Sequence, residues 1–194
     1  MSALALDRFG WLKSHVSVRH APSPNFDNRP RGVEPSLLVL HNISLPPGEF
    51  GGPEVVDFFL NRLDYSTHPW LERLRDMTVS AHFFVRRDGD IVQFVSTQKR
   101  AWHAGVSSFN EREACNDFSI GIELEGTDHL PYTDEQYLAL KGLTTALRAQ
   151  YALSAVRGHE HIAPSRKTDP GPAFQWRRYA RENHWFLRQL PPVA

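Results

Sequence analysis

The segment SLLVL at 36–40 is the part of the sequence that most constrains the fold. It is a short apolar run between turn-forming residues, which is typical of a buried strand. A second segment, FSIGIELEG at 118–126, alternates apolar and polar residues in the way that a strand does. Both segments therefore predict strands of a sheet whose faces are covered by other elements of the chain.

Several other segments predict the elements around these two strands. VSAHFFVRRDGDIVQFV at 79–95 is typical of a hairpin, because two β-rich runs flank an Asp-Gly turn. PYTDEQYLALKGLTTALRAQY at 131–151 predicts a helix with a capping box at Thr133 and Gln136. SAVRG at 154–158 predicts a short strand, and residues 175–190 a C-terminal helix. We therefore expect an α/β fold with a mixed central sheet flanked by helices, forming one domain over residues 1–194.

The composition excludes several classes of protein. Lysine plus arginine and aspartate plus glutamate both number 22, so no excess positive charge favours nucleic acid or an anionic membrane as partner. No run approaches the roughly 20 apolar residues of a membrane span, and the N-terminal apolar run is shorter than a secretory signal needs. The single cysteine, Cys115, excludes an intramolecular disulfide. We therefore expect a cytoplasmic location.

Two histidines and an aspartate form a candidate metal site. His41 directly follows the strand at 36–40, His159 follows the strand at 154–158, and Asp169 lies ten residues later on a proline-bounded loop. A hydrolytic zinc site uses three such ligands and keeps a fourth position open. A histidine at the end of a strand is also common as a purely structural residue, so spacing alone leaves both interpretations open.

Other residues are candidates for chemistry or binding. Glu123 stands among apolar residues, where an unpaired carboxylate is costly to bury, so it either forms a salt bridge or acts as a base. Glu125, at the end of the same strand, is expected to be solvated. Lys167 is either a surface residue or a source of positive charge for a carbonyl under attack. Trp102 and His103 either contact a sugar or peptide or pack inside the protein.

Five segments, in this order, resemble the zinc-dependent N-acetylmuramoyl-L-alanine amidases. They are LLVLHNISLPPGEFGG, VSAHFFVRRDGDIVQFV, KRAWHAGVSS, CNDFSIGIELEGTD and IAPSRKTDPGP. The resemblance covers about residues 17–180. It implies the fold of phage amidase-type lysozymes and peptidoglycan recognition proteins, in which zinc lies in a groove beside a mixed sheet.

The resemblance also implies roles for individual residues. The zinc ligands of the family fall on His41, His159 and Asp169, and its catalytic residues fall on Glu123 and Lys167. The substrate contacts are expected at Asn42, Trp102 and His103. One departure from the family pattern is His161, where a small polar residue is expected. Two histidines two positions apart can share a direction, so His161 is an alternative to His159 as a ligand.

The activity implied by the resemblance is zinc-dependent hydrolysis of the amide bond between (1,6-anhydro-)N-acetylmuramic acid and L-alanine in cell-wall recycling. The expected cofactor is Zn²⁺ and the expected partner is a small anhydromuramoyl peptide, with no obligate protein partner. Two alternatives remain. A non-catalytic module that binds peptidoglycan fragments would be expected to lack a complete zinc triad, and a wall-degrading amidase would act on intact peptidoglycan.

Overall fold

A computed structural model describes residues 3–192. Its strands are β1 (Val18–His20), β2 (Phe26–Asn28), β3 (Leu37–Ile43), β4 (Phe83–Val85), β5 (Ile91–Gln93), β6 (Lys99–Ala101), β7 (Ser108–Phe109), β8 (Arg112–Glu113), β9 (Ser119–Glu125) and β10 (Ala155–Gly158). Its α-helices are α1 (Glu54–Phe59), α2 (Asp134–Gln150), α3 (His159–Ile162) and α4 (Trp176–Asn183). Short 3-10 helices cover Tyr65–Thr67, Pro69–Leu74, Cys115–Asp117 and Leu187–Gln189.

Six strands form the central sheet in the order β1, β5, β4, β9, β3, β10. The β4–β5 pair is antiparallel and the other four pairs are parallel. Two small antiparallel ribbons, β2–β6 and β7–β8, lie outside this sheet. The predicted α/β fold with a mixed central sheet and flanking helices is confirmed.

The two faces of the sheet carry different residues because side chains alternate along each strand. Leu38 and Leu40 of β3 join Ile120, Ile122 and Leu124 of β9 in one core, together with the inward stripe of α2, which consists of Tyr137, Leu140, Leu143 and Leu147. The intervening residues of β3 and β9 face the opposite side. His41 and Glu123 are among them, and they are register partners in the β3–β9 pair. The alternation therefore places these two polar side chains next to each other, away from α2.

Most predicted local elements are present. The Asp-Gly hairpin forms between β4 and β5, and the capping box of α2 is complete, with both Thr133 and Gln136 bonded as expected. The C-terminal helix is shorter than predicted. Helix α4 ends at Asn183, because His184 takes a left-handed conformation with φ of 53°. Among residues 3–192, no helix is long and apolar enough to cross a membrane.

The carboxyl ends of the parallel strands β3, β9 and β10 meet at one edge of the sheet. Open α/β sheets bind ligands at this edge. His41 and Glu123 lie near the ends of β3 and β9, and His159 follows the last residue of β10 directly. The loop between α3 and α4 returns Asp169 to the same place.

Candidate active site

His41, His159 and Asp169 bring one ligand atom each to a common point. The Nδ1 atoms of His41 and His159 are 3.0 Å apart. Asp169 Oδ2 lies 3.0 Å from His41 Nδ1 and 3.1 Å from His159 Nδ1. The three atoms therefore form a nearly equilateral triangle, and they compose the one group of metal-ligating side chains found among the described residues.

The donor set and its spacing suit zinc. Tetrahedral zinc sites take imidazole nitrogens and carboxylate oxygens at about 2.0–2.2 Å, which separates the ligand atoms by about 3.3 Å. The three separations between ligand atoms fall within about 0.3 Å of that value. Three protein ligands with an open fourth position are typical of catalytic rather than structural zinc.

Hydrogen bonds behind the two imidazoles orient them. His159 Nε2 lies 3.0 Å from the Ala104 carbonyl oxygen, which can only accept, so this nitrogen carries the proton and Nδ1 presents a lone pair to the cluster. His41 Nε2 lies 2.9 Å from His103 Nδ1. Burial, with the neighbouring His159 as the second cause, lowers the pKa of His41 to about 4, so its ring is neutral at pH 7.

The loop that carries Asp169 is held against β10 and β3. The Asp169 carbonyl accepts from the Glu160 N–H at 2.9 Å, and the Pro170 carbonyl accepts from the Tyr132 hydroxyl at 2.8 Å. Gly158 permits this approach, because a Cβ atom there would stand 2.6 Å from Pro170 Cδ. His159 therefore supplies one ligand of the cluster, and Gly158 before it leaves room for the loop that brings Asp169 to the same point.

Glu123 and Lys167 lie beside the cluster. In the part of the chain that the structure describes, the buried Glu123 Oε2 has no hydrogen-bond partner. Burial raises the pKa of Glu123 well above its ordinary value, the negative charge of Asp169 raises it further, and Lys167 opposes the shift. Of the two alternatives for Glu123, this unpartnered oxygen favours a base over a salt-bridged residue.

A cavity of about 490 Å³ opens over the cluster. The ligand residues, Glu123 and Lys167 all line it. The rest of the lining is largely apolar and includes Leu45, Phe58, Trp70, Leu74 and Val79. Such a combination of an apolar wall and a few convergent polar groups is typical of a small-molecule site.

The three predicted substrate contacts all line this cavity, but they differ in the polar atoms that they offer. The Asn42 amide donates to Asp128 Oδ1 at 2.8 Å and to the Pro170 carbonyl at 3.2 Å, so its NH₂ group is engaged within the protein. Both ring nitrogens of His103 have partners inside the protein. Trp102 is partly exposed and presents an aromatic surface. A direct contact with substrate stays a prediction for all three residues.

The structure places His159 and His161 in different surroundings. A helical turn, α3, begins at His159, and residues two positions apart on a helix are rotated by about 200° rather than sharing a direction. His161 Nδ1 accepts from the Gly158 N–H at 3.0 Å, and its ring packs edge-on against Trp176. Of the two histidines, only His159 belongs to the metal-ligating cluster in residues 3–192.

The expectation that Glu125 is solvated was wrong. Its side chain is buried, its Oε1 accepts from the backbone N–H of Gly51 at 2.6 Å, and its Oε2 accepts from the backbone N–H of Arg87 at 2.9 Å. The carboxylate therefore joins the loop after β3 to the hairpin turn. Its position at the end of β9 gave no sign that this loop folds over it.

Sequence reasoning also missed three groups around the site. They are the Ala104 carbonyl, Ser119 beside His103, and Asp128 beside Asn42. A backbone carbonyl has no signal in the sequence. Asp128 had one, because it follows β9 at the edge where the parallel strands end.

Comparison with known proteins places the chain among enzymes. The family described as N-acetylmuramoyl-L-alanine amidase matches residues 31–172. The 1,6-anhydro-N-acetylmuramyl-L-alanine amidase AmpD of Salmonella typhimurium (strain SL1344) is 57% identical over 172 residues, which are 88% of this chain and 90% of that protein. A crystal structure of a selenomethionine AmpD derivative is 55% identical and superposes with a TM-score of 0.87, covering 91% of this chain and 98% of that one.

A more distant structure shares the fold alone. Human PGRP-IBETAC, solved with a glycosamyl muramyl pentapeptide, is 16% identical and has a TM-score of 0.60, covering 92% of this chain and 100% of that one. The predicted likeness to peptidoglycan recognition proteins is thus confirmed at the level of fold. The family match spans most of the chain, and the AmpD relative exceeds half identity over nearly all of it. The chain therefore belongs to the N-acetylmuramoyl-L-alanine amidase family, as the sequence predicted.

Proposed function

We propose that this protein hydrolyses the amide bond between 1,6-anhydro-N-acetylmuramic acid and L-alanine in peptidoglycan fragments, with Zn²⁺ as cofactor, in cell-wall recycling. The observation that carries the proposal is the convergence of three ligand atoms beside the unpartnered Glu123 carboxylate, in one cavity. The Salmonella relative, which is 57% identical, bears the name of this activity. The residues of the site and the similarity to this relative therefore support the same reaction.

His41, His159 and Asp169 would hold the zinc ion. When bound, zinc supplies a Lewis acid that polarises a carbonyl and lowers the pKa of water toward about 7. The chain's part is to keep the ligands deprotonated and fixed. The Ala104 carbonyl does so for His159 by retaining the proton on Nε2.

Glu123 acts as the general base. Its carboxylate lines the cavity beside His41, where it would take the proton of a water molecule bound over the cluster. A pKa raised by burial makes Glu123 a stronger base than an exposed glutamate, and a base works best when its pKa approaches the working pH. The same carboxyl group then returns the proton to the leaving amine of L-alanine.

Lys167 supplies positive charge where negative charge develops. It lines the same cavity and lies two residues before Asp169 in the chain. A positioned cation stabilises the tetrahedral intermediate more than the planar amide, so it lowers the barrier rather than merely tightening binding. The apolar part of the cavity lining suits the aliphatic parts of a sugar–peptide substrate.

The proposal extends to the setting of the enzyme. We take the chain as a single zinc amidase domain over residues 1–194 that acts on small anhydromuramoyl peptides without nucleic acid, membrane or an obligate protein partner. The near-zero net charge supports this choice of substrate over polyanions. The cytoplasmic location is tested by fractionating cells and finding the protein with soluble cytoplasmic markers.

A side-by-side assay tests the function. Purified protein is offered soluble anhydromuramoyl tripeptide and intact sacculi, and the released L-alanine N-terminus is quantified. We expect rapid release from the soluble fragment and little from sacculi. Faster release from sacculi would make the protein a wall-degrading amidase, and tight binding of the fragment without cleavage, in zinc-loaded protein, would make it a recognition module.

A further inference from the structure

Behind His41, a chain of polar groups runs into the protein interior. His41 Nε2 lies 2.9 Å from His103 Nδ1, and His103 Nε2 lies 3.2 Å from Ser119 Oγ. All three side chains are buried. A hydroxyl and a neutral imidazole can each donate and accept, so hydrogen bonds can run along this chain in either direction.

The two directions give His41 opposite properties. If His41 Nε2 donates to His103, the Nδ1 atom of His41 presents a lone pair to the metal-ligating cluster. If Ser119 donates to His103 and His103 donates to His41, then His41 Nδ1 carries the proton. That proton points at Asp169 Oδ2, 3.0 Å away, and at His159 Nδ1, also 3.0 Å away.

His159 has no such freedom. Its Nε2 faces the Ala104 carbonyl, which only accepts, so the neutral ring always presents the Nδ1 lone pair to the cluster. One imidazole of the cluster is thus fixed in the ligating tautomer, while the other depends on the state of its neighbour.

The His103 ring is held in place by packing. Gly121 lies directly against it, since a Cβ atom at that position would stand 2.4 Å from His103 Cγ. The ring meets His41 edge-on, with centroids 5.0 Å apart, and the backbone N–H of His103 donates to Asn116 Oδ1 at 3.1 Å. A ring so confined changes its tautomer more readily than its position.

We propose that His103 and Ser119 are positioning residues that set the tautomer of His41, and that binding of a metal ion reverses their hydrogen bonds. Without the ion, Ser119 donates to His103, His103 donates to His41, and His41 donates to Asp169. With the ion, His41 donates to His103 and His103 donates to Ser119. Each of the two imidazoles moves one proton from Nδ1 to Nε2, so the number of protons and the net charge stay the same.

The inference rests on the proposed metal site and deepens it, and it is tested by a readout other than activity. Nitrogen-15 NMR of histidine-labelled protein distinguishes the two tautomers of each ring. We expect His41 and His103 to carry the proton on Nδ1 in metal-free protein and on Nε2 after one equivalent of Zn²⁺, while His159 carries it on Nε2 in both. If zinc binds but the His103 tautomer stays the same, the proposed reversal of hydrogen bonds is refuted, whereas the metal site is supported. Absence of zinc binding would overturn both.

Two variants at position 103 distinguish the hydrogen bonding of His103 from a role of its side chain in packing alone. His103→Leu fills space without polar atoms, and His103→Gln is its matched control, because its amide oxygen accepts from His41 and its amide nitrogen donates to Ser119. Loss of such an outer partner typically weakens metal binding by about 10–100-fold. We expect that loss in chelator competition for His103→Leu, and zinc affinity close to that of the unaltered protein for His103→Gln.

The outcome is decided by affinity measured together with folding. Thermal unfolding of both metal-free variants shows whether each is folded at the assay temperature. Equal zinc affinities for the folded leucine and glutamine variants would refute the positioning role. If the leucine variant does not fold, the NMR comparison on the unaltered protein decides the question by itself.

Discussion

Replacing Glu123 by glutamine tests the base directly, because it changes one oxygen for an NH₂ group at nearly constant volume. The side chain is 8% exposed and its Oε2 has no hydrogen-bond partner among the described residues. The substitution therefore breaks no hydrogen bond of that oxygen. A large effect on rate is then expected to come from loss of the carboxylate as proton acceptor.

The expected loss of kcat is on the order of 10²–10⁴, the usual contribution of a positioned acid or base. This corresponds to about 3–5 kcal/mol of transition-state stabilisation. KM should change little, because the amide keeps the shape of the side chain. Zinc content should stay at one per chain, because Glu123 does not belong to the ligand triangle.

The Glu123→Gln substitution lowers activity but should not lower the stability of the folded protein. Because the pKa of Glu123 is raised in the folded protein, its ionisation opposes folding increasingly as the pH rises above the ordinary value of 4.5. Glutamine removes that cost. We therefore expect metal-free Glu123→Gln to unfold at the same or a higher temperature than the unaltered protein at pH 7.

The assay combines steady-state cleavage of an anhydromuramoyl peptide, metal analysis and thermal unfolding. Glu123→Asp is the matched control, since it keeps the acid but withdraws it by one methylene, and partial activity is expected. Full activity of a zinc-loaded Glu123→Gln variant would refute the role of this residue in proton transfer. Loss of zinc from that variant would show that Glu123 acts on the metal site rather than on the substrate.

The remaining predictions concern the ligands and their surroundings. Asp169→Ala should lose both zinc and activity, and tight zinc binding by this variant, measured by chelator competition, would contradict the ligand assignment. His159→Ala should lose zinc while His161→Ala keeps it; zinc loss confined to the second variant would reverse the assignment. Glu125→Ala should leave zinc content unchanged but destabilise the fold by about 1–3 kcal/mol in urea unfolding, because the hydrogen bonds of two backbone N–H groups to this buried carboxylate are lost; an unchanged midpoint would show that these bonds contribute little.

Much of the fold follows from local patterns in the sequence. The apolar run at 36–40, the alternation at 118–126 and the Asp-Gly turn each specify a strand or hairpin through side-chain periodicity or turn chemistry. The capping box at Thr133 marks the start of α2 for the same reason. Such signals depend on a few neighbouring residues, so they can be recognised in the sequence without knowledge of the tertiary structure.

The surroundings of the site depend on contacts that sequence patterns do not carry. Glu125 is buried because a loop from another part of the chain folds over it. His159 and His161 differ because a helix begins at the first of them, whereas the alternation of a strand would have aligned them. The partner of His159 is a backbone carbonyl, and that of His41 is a histidine 62 residues away. Each of these is a property of the folded chain.

Amide cleavage is expected to depend on zinc held by this chain. The most direct test measures zinc content and cleavage of a soluble anhydromuramoyl peptide by the same sample, before chelation, after chelation and after return of one equivalent of Zn²⁺. We expect about one zinc per chain and full activity at the start, loss of both on chelation, and recovery of both when zinc is returned. Undiminished cleavage by protein that has been stripped of metal would show that the reaction does not need zinc.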